Sequence, residues 1–226
     1  MSYDAVLLDH DGVLVELLDR ETLAAGLREH GTTRFRTLGV DPDPTVVDTL
    51  NVGAEADEIR RLADERGVDA GRLWHHRDEA IATTLREATR TGQKDPYDDV
   101  AALDRVDLPL GVVSNNQRRL VEFVLGEHGL ADRFETVRAR APTLGSLDRR
   151  KPAPTYLEAA AADLGVDRPL YVGDSETDVV AARRAGFDAA FLRRSHNADR
   201  ALSRSPTVEV TGLDEVVGLL DGARGQ

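Results

Sequence analysis

Short apolar runs alternate with helical segments through the second half of this chain. Each run is short for a helix, and most are bounded by Gly, Asp, Ser or Asn, as expected of buried strands that end in turns. Strands that alternate with helices predict an α/β fold, a doubly wound parallel sheet with helices on both faces. The predicted strands cover residues 3–8, 108–113, 135–138, 170–172, 189–192 and 207–210, and the helices between and after them cover 117–128, 155–164, 177–185 and 213–220.

One segment interrupts the alternation directly after the first strand. Residues 16–95 are rich in Ala, Arg, Glu and Leu, and they predict helices over 20–29, 55–66 and 71–89. Pro42 and Pro44 predict a loop over 39–45, because proline disfavours the interior of a helix. The sequence therefore predicts two domains: an α/β core of residues 1–15 and 96–226, and an inserted helical domain of residues 16–95.

The charge of the chain is strongly negative, with a net charge of −12 at pH 7. Such a surface argues against a nucleic-acid partner, whose phosphates need basic residues. Of the 29 Lys and Arg residues, only Lys94 and Lys151 are lysine. An acidic surface nearly free of lysine is typical of halophilic archaea, although a GC-rich genome would also favour arginine. Adaptation to molar salt would weaken the argument against nucleic acid, since a whole proteome is then acidic.

Other classes of protein are excluded by composition. The chain has no cysteine, which excludes disulfides, thiolate metal sites and a cysteine nucleophile. The longest apolar runs are far too short to span a bilayer, so no membrane partner is expected. The first residues lack a basic secretory signal, which predicts a cytoplasmic protein. The sequence makes no prediction of oligomeric state.

Polar residues collect where the predicted strands end. Ligands of such sheets bind beyond the carboxyl ends of the strands, so these residues are the candidates for function. They supply carboxylates, a hydroxyl, an amide and one ammonium group. They are Asp9, Asp11, Ser114, Asn115, Lys151, Asp174 and Asp178.

This set of groups suits phosphoryl transfer. Carboxylates from separate segments favour a hard cation such as Mg²⁺. A phosphate beside carboxylates is repelled unless a cation and a lysine offset the charge. Ser114 can donate to a phosphate oxygen. One carboxylate could attack phosphorus as a nucleophile, and a second could protonate the leaving group.

Four short segments resemble the motifs of the haloacid dehalogenase superfamily, in the same order along the chain. The resemblance covers residues 1–14 and about 96–220, while the helical insert matches in position and helical character only. It implies a Rossmann-like core with a helical C1-type cap, acting as a phosphatase on a small phosphorylated metabolite, with phosphoglycolate phosphatases as the first candidates. The segments are residues 9–13, Ser114-Asn115, Lys151-Pro152 and 173–178.

The first motif implies the chemical roles. Asp9 would be the nucleophile and a metal ligand. Asp11 would be the general acid and base, and would bind the metal through its backbone carbonyl. His10 and Val13 depart from the commonest pattern, but neither side chain is expected to do chemistry. His10 is expected to pack or to contact substrate, with its ring directed away from the two carboxylates.

The other motifs imply how phosphate and metal are held. Ser114 and Asn115 would bind the transferred phosphoryl group. Lys151 would balance charge between the nucleophile and the phosphate. Asp174 would be a magnesium ligand, and Asp178 would bind through water or support the other ligands.

Simpler interpretations remain open for some of these residues. Residues 114–116 could form the N-cap of the next helix, and Asp174 and Asp178 could stabilise a helix dipole. The Arg193-Arg194 pair and His196 follow a strand and could flank the site, although a run of arginines is usually a solvated face.

Other functions on the same fold also remain open. A sugar phosphomutase would share both aspartates and a helical cap. A haloacid dehalogenase would need neither a metal nor an acid two positions after the nucleophile, so Asp11 and Asp174 count against it. The alternative that is not an enzyme is a catalytically silent binding protein. An assay with a generic aryl phosphate would distinguish it from a phosphatase.

Overall fold

The computed structural model describes residues 3–224 and contains a six-stranded sheet. All four residues of the first strand are fully buried, as expected of a strand covered on both faces. Every predicted strand is present, with shifted ends. The strands are β1 (Ala5–Leu8), β2 (Leu110–Gln117), β3 (Thr136–Arg140), β4 (Pro169–Gly173), β5 (Asp188–Leu192) and β6 (Val208–Val210).

The strand order explains where a site can form. The order is β3-β2-β1-β4-β5-β6, and β1 pairs in parallel with both β2 and β4. The chain moves outward on one side of β1 and then crosses to the other. The carboxyl ends of β1, β2 and β4 therefore lie side by side at a switch point, where doubly wound sheets bind their ligands.

Within residues 3–224, four α-helices lie between β1 and β2, and four more each follow a later strand. Within residues 3–224 no helix is long and apolar enough to cross a membrane. The helices are α1 (Arg20–Arg36), α2 (Pro44–Leu50), α3 (Ala56–Arg66), α4 (Ala70–Arg90), α5 (Arg118–Glu127), α6 (Thr155–Leu164), α7 (Glu176–Ala185) and α8 (Leu213–Arg224), and short 3-10 helices span Asp98–Arg105, Ala131–Arg133, Leu144–Arg149 and Ser195–Asn197.

The chain forms two compact units. The α/β unit consists of Met1–Glu16, Asp95–Ala139 and Arg149–Gln226. The helical unit consists of Leu17–Lys94 together with Arg140–Asp148, which the sequence boundaries assigned to the core.

A buried ion cluster explains why the second segment belongs to the helical unit. Asp78 on α4 is fully buried and accepts hydrogen bonds of 2.7 and 3.0 Å from Arg140. Arg77 donates to the same carboxylate at 3.0 Å. Both guanidinium groups lie over the ring of Trp74, at 4.6 and 5.1 Å from its centre. An isolated buried Asp would be costly, so these contacts fasten residue 140 to α4.

The predicted loop over residues 39–45 is wrong at its end, because α2 begins at Pro44. Proline suits the first position of a helix, where its missing N–H would have no intrahelical partner. The carboxylate of Asp43 caps the helix by accepting from the N–H of Val46 at 3.0 Å. Val46, Val47 and Leu50 are buried, so this short helix is held by packing.

The N-cap interpretation of residues 114–116 is also wrong, because β2 continues through them to Gln117. The N-cap of α5 is Gln117, which makes no capping bond with its side chain. Instead, Ser114 Oγ accepts from the N–H of Asn116 at 3.0 Å. The polar residues of this segment are therefore positioned by the end of a strand.

Candidate active site

Three buried carboxylates meet in the α/β unit. Asp9 directly follows β1, Asp174 directly follows β4, and Asp178 lies in the first turn of α7. One oxygen from each lies within 4.8 Å of the others, a spacing that could hold a metal ion. The parallel pairing of β1 with β4 brings the first two together, since both strands end at the same edge.

Lys151 is the cation of this cluster. Its Nζ lies 2.8 Å from Asp9 Oδ2 and 2.7 Å from Asp178 Oδ1, and it donates to the Tyr171 hydroxyl at 2.7 Å. Burial alone would lower the pKa of Lys151, but Asp178 and Asp9 hold that pKa above its usual value. The ammonium group is therefore charged and fixed between two carboxylates.

Asn115 holds the main chain of Lys151 in place. Its Nδ2 donates to the carbonyl of residue 151 at 3.0 Å, and its Oδ1 accepts from the N–H of the same residue at 2.7 Å. A side chain at the end of β2 thus fixes a loop residue 36 positions later. Because these two bonds fix the backbone of Lys151, they help to position its ammonium group.

Asp178 is satisfied by its neighbours. Its Oδ2 accepts from the N–H of Ser175 at 3.0 Å and from the Ser175 hydroxyl at 2.5 Å. Its Oδ1 accepts from the Tyr171 hydroxyl at 3.0 Å and faces Lys151. Burial would raise its pKa, but Lys151, Ser175 and Tyr171 together lower that pKa below the usual value. A carboxylate offers about four acceptor positions, and here all are used.

The pKa values of Asp9 and Asp174 shift in the opposite direction from that of Asp178. Burial raises the pKa of Asp9 well above its usual value, against the opposing charge of Lys151. Burial likewise raises the pKa of Asp174, against a hydrogen bond with His196. Three buried carboxylates face one buried lysine, so negative charge is in excess. This excess and the oxygen-only donor set fit a divalent cation.

Asp11 lies beside the side chains of Asn116 and His10. Asn116 Nδ2 donates to its Oδ2 at 3.2 Å, and Nδ1 of His10 lies 3.3 Å from the same oxygen. The orientation of the Asn116 amide is fixed, because its Oδ1 accepts from the N–H of Gln117 at 2.8 Å. His10 is fully buried, which agrees with packing, but its ring faces Asp11, so its expected direction away from the carboxylates is wrong.

The turn after β5 contributes groups that the sequence interpretation undervalued. His196 Nε2 lies 2.6 Å from Asp174 Oδ2. Arg194 is mostly buried and pairs with both oxygens of Asp99 at 2.8 Å, so its interpretation as part of a solvated face is wrong. It also donates to the carbonyl of Val13 at 3.0 Å. The available signal was position, because these residues directly follow a strand of the sheet.

Tyr171 and Asn116 were missed altogether. Tyr171 is fully buried on β4 and joins Lys151 to Asp178 through its hydroxyl. A tyrosine within an apolar run reads as a core residue, and nothing in the local pattern marks its hydroxyl as part of a site. Asn116 stood next to the predicted pair 114–115 but was considered only as a helix cap.

The fold and the site define an α/β enzyme with an acidic site beyond the strand ends. The family model described as "haloacid dehalogenase-like hydrolase" matches residues 3–186, and the chain belongs to that family. The predicted resemblance, the doubly wound Rossmann-like fold and the assignment as a hydrolase are thereby confirmed.

Two relatives differ in how much of this chain their similarity covers. The chain is 31% identical to the phosphoglycolate phosphatase of Neisseria meningitidis, over 96% of this chain and 90% of that protein. It is 30% identical to the (S)-2-haloacid dehalogenase of Pseudomonas sp. strain YL, over 57% of this chain and 55% of that protein. The similarity to the phosphatase therefore extends over nearly the whole chain.

A solved structure has the same fold. CbbY from Rhodobacter sphaeroides, determined in complex with phosphate, superposes with a TM-score of 0.66 at 18% identity. The match covers 95% of this chain and 96% of that chain.

Proposed function

We propose that this enzyme hydrolyses a small phosphate monoester through an aspartyl-phosphate on Asp9, with Mg²⁺ as cofactor. The observation that carries the proposal is the position of Lys151 between Asp9 and Asp178, beside Asp174. This arrangement gives a buried nucleophile, a fixed positive charge and an acidic site for a cation. The phosphoglycolate phosphatase relatives make phosphoglycolate the first substrate to test.

Asp9 is suited to attack phosphorus. Its Oδ1 accepts from the N–H of His10 at 2.7 Å and its Oδ2 faces Lys151, so the carboxylate is held by both oxygens. In the first step one oxygen bonds to phosphorus while the bond from phosphorus to the ester oxygen breaks. In the second step water attacks phosphorus, which releases inorganic phosphate and restores Asp9.

Asp11 supplies the proton transfers. It donates a proton to the departing alkoxide and then accepts one from the attacking water. Its side chain is partly exposed, unlike that of Asp9, and Asn116 restricts it through Oδ2. The proton donor and the nucleophile are two residues apart, directly after the same strand.

The phosphoryl group is held by the end of β2 and by Lys151. Ser114 Oγ accepts from the N–H of Asn116, so its own proton can be directed at a phosphoryl oxygen. Lys151 offsets charge between the nucleophile and the phosphate. Asn115 contributes by holding the backbone of Lys151, and it can also donate to the phosphoryl group.

Mg²⁺ would be held by Asp9, the backbone carbonyl of Asp11 and Asp174. When bound, the cation offsets the charge of the phosphate and the carboxylates. Asp178 would support the other ligands, since its own acceptor positions are used by Ser175, Tyr171 and Lys151. Residues 16–95, inserted between the first two motifs, are proposed as the cap domain that selects the substrate.

A screen for released product tests the function. Phosphoglycolate, other small phosphate esters and a 2-haloacid are incubated with the enzyme in magnesium and high salt. We expect inorganic phosphate from at least one ester and no halide from the haloacid, because Asp11 and Asp174 suit phosphate chemistry. Halide release without phosphate release would contradict the proposal, and release of neither would favour a silent binding protein.

A further inference from the structure

His196 lies on the short helical turn Ser195–Asn197 that follows β5, outside the four motifs. Its Nε2 is 2.6 Å from Oδ2 of Asp174. A metal ligand is an ionised carboxylate, which has no proton to give, so in that state Nε2 is the donor. Asp174 is buried, and a charge-assisted bond of this length to a buried group is among the strong ones.

The turn that carries His196 is itself fastened to Asp174. The side chain of Asn197 is buried, and its Nδ2 donates to the carbonyl of Asp174 at 2.8 Å and to that of Leu192 at 3.0 Å. Its Oδ1 accepts from the N–H of Arg194 at 2.8 Å. The position of the His196 ring is therefore set by bonds to the end of β5 and to the very residue that the ring contacts.

Gly12 lies close to the same oxygen of Asp174. A Cβ placed on Gly12 would lie 2.2 Å from Asp174 Oδ2 and 3.2 Å from His196 Nε2. Gly12 has a φ of +80°, which disfavours any side chain. The main chain at Gly12 and the imidazole ring of His196 therefore both lie close to Oδ2 of Asp174.

We propose that His196 is a positioning residue for Asp174, and that its hydrogen bond sets the affinity of the acidic site for Mg²⁺. This inference rests on the proposed function, which makes Asp174 a metal ligand. The ring holds one oxygen of the carboxylate, which restricts rotation and directs the group at the cluster formed with Asp9. A carboxylate that is already oriented loses less freedom when it binds a cation.

The expected size of the effect follows from metal sites in general. Loss of a hydrogen bond to a metal ligand typically weakens metal binding by about 10–100-fold. Glutamine can replace the donor, because its side-chain amide reaches about as far as Nε2 of histidine. Leucine has a comparable volume and no donor.

The test compares His196→Leu and His196→Gln by calorimetric titration of Mg²⁺ alone into the metal-free full chain. His75→Leu is the control, since His75 is exposed on α4 in the helical unit. We expect His196→Leu to raise the dissociation constant by about 10–100-fold. His196→Gln should lie close to wild type and His75→Leu should equal it. Melting temperatures of the metal-free proteins establish that each variant is folded.

Equal magnesium affinity of wild type and His196→Leu would overturn the inference while leaving the proposed function intact. An equal loss in His196→Gln and His196→Leu would also overturn it, because the donor would then be irrelevant. If wild type itself bound no Mg²⁺, the inference and the proposed metal site would both fail. His196→Ala removes the donor without adding bulk, and it serves if the leucine variant does not fold.

Discussion

The ammonium group of Lys151 lies 2.8 Å from Oδ2 of Asp9, and both side chains are buried. This pair joins the third motif to the first across more than half of the chain. Tyr171 and Asp178 complete the surroundings of the ammonium group. The position suits a compact charge with donors in several directions, which describes lysine and not arginine.

We expect Lys151→Arg to lose most activity although charge is conserved. The planar guanidinium is larger and cannot meet Asp9, Asp178 and Tyr171 in the geometry of an ammonium group. Removing one preorganised electrostatic contact typically costs about 10²–10³-fold in turnover, which sets the expected loss. Turnover of an aryl phosphate is measured, with the melting temperature as a check on folding. A folded variant with nearly wild-type turnover would show that only the charge of residue 151 matters.

Removal of metal should abolish turnover. The excess of negative charge from Asp9, Asp174 and Asp178 over Lys151 would repel a phosphate unless a cation offsets it. Enzyme treated with EDTA and then freed of chelator is assayed before and after addition of Mg²⁺. We expect no turnover before and recovery after, and Asp174→Asn should need more Mg²⁺ for the same rate. Full turnover of metal-free enzyme would exclude the proposed cofactor.

Asp11→Asn should separate proton transfer from metal binding. The backbone carbonyl of residue 11 survives the change, so Mg²⁺ should still bind. General acid help is worth about 10²–10⁴-fold, and an aryl leaving group needs little of it. Turnover of alkyl phosphates should therefore fall much further than turnover of aryl phosphates. Equal losses for both, in a variant that binds Mg²⁺ like wild type, would rule out the acid–base role.

The inner strands β1, β2, β4 and β5 were predictable from the sequence, because they are largely buried and contain continuous apolar runs. The structure of the helical unit was less predictable. The helix over 44–50 depends on Asp43 as a cap and on Pro44 at the first position, features that also occur in turns. The membership of residues 140–148 in the helical unit depends on the pairing of Arg140 with Asp78, 62 positions apart, which no local pattern reveals.

The site was predictable where residues lie directly after strands, as Asp9 and Asp174 do. The groups that contact and position these residues were not predictable from the sequence. Tyr171 looks like a core residue, and Arg194 looks like a surface residue until its bonds to Asp99 are known. The contact of His196 with Asp174 requires β4 and β5 to be neighbours, which follows from the strand order and not from either segment alone.

The stability of the fold should rise with KCl up to molar concentrations. The net charge of −12 makes the folded chain repel itself, and at about 1 M salt the screening length falls to roughly 3 Å. Thermal unfolding is followed at increasing KCl, and the melting temperature is expected to increase. A melting temperature that stays constant or falls with salt would count against a halophilic origin.

The turnover of Asp9→Asn tests the central claim most directly. An amide cannot form the aspartyl-phosphate, although it preserves the size of the side chain. Asp132→Asn, the same change at an exposed position of the α/β unit, is the matched control. We predict that Asp9→Asn shows no detectable release of phosphate while Asp132→Asn matches wild type. Substantial turnover by a pure Asp9→Asn protein would contradict the account, because the nucleophile would then lie elsewhere.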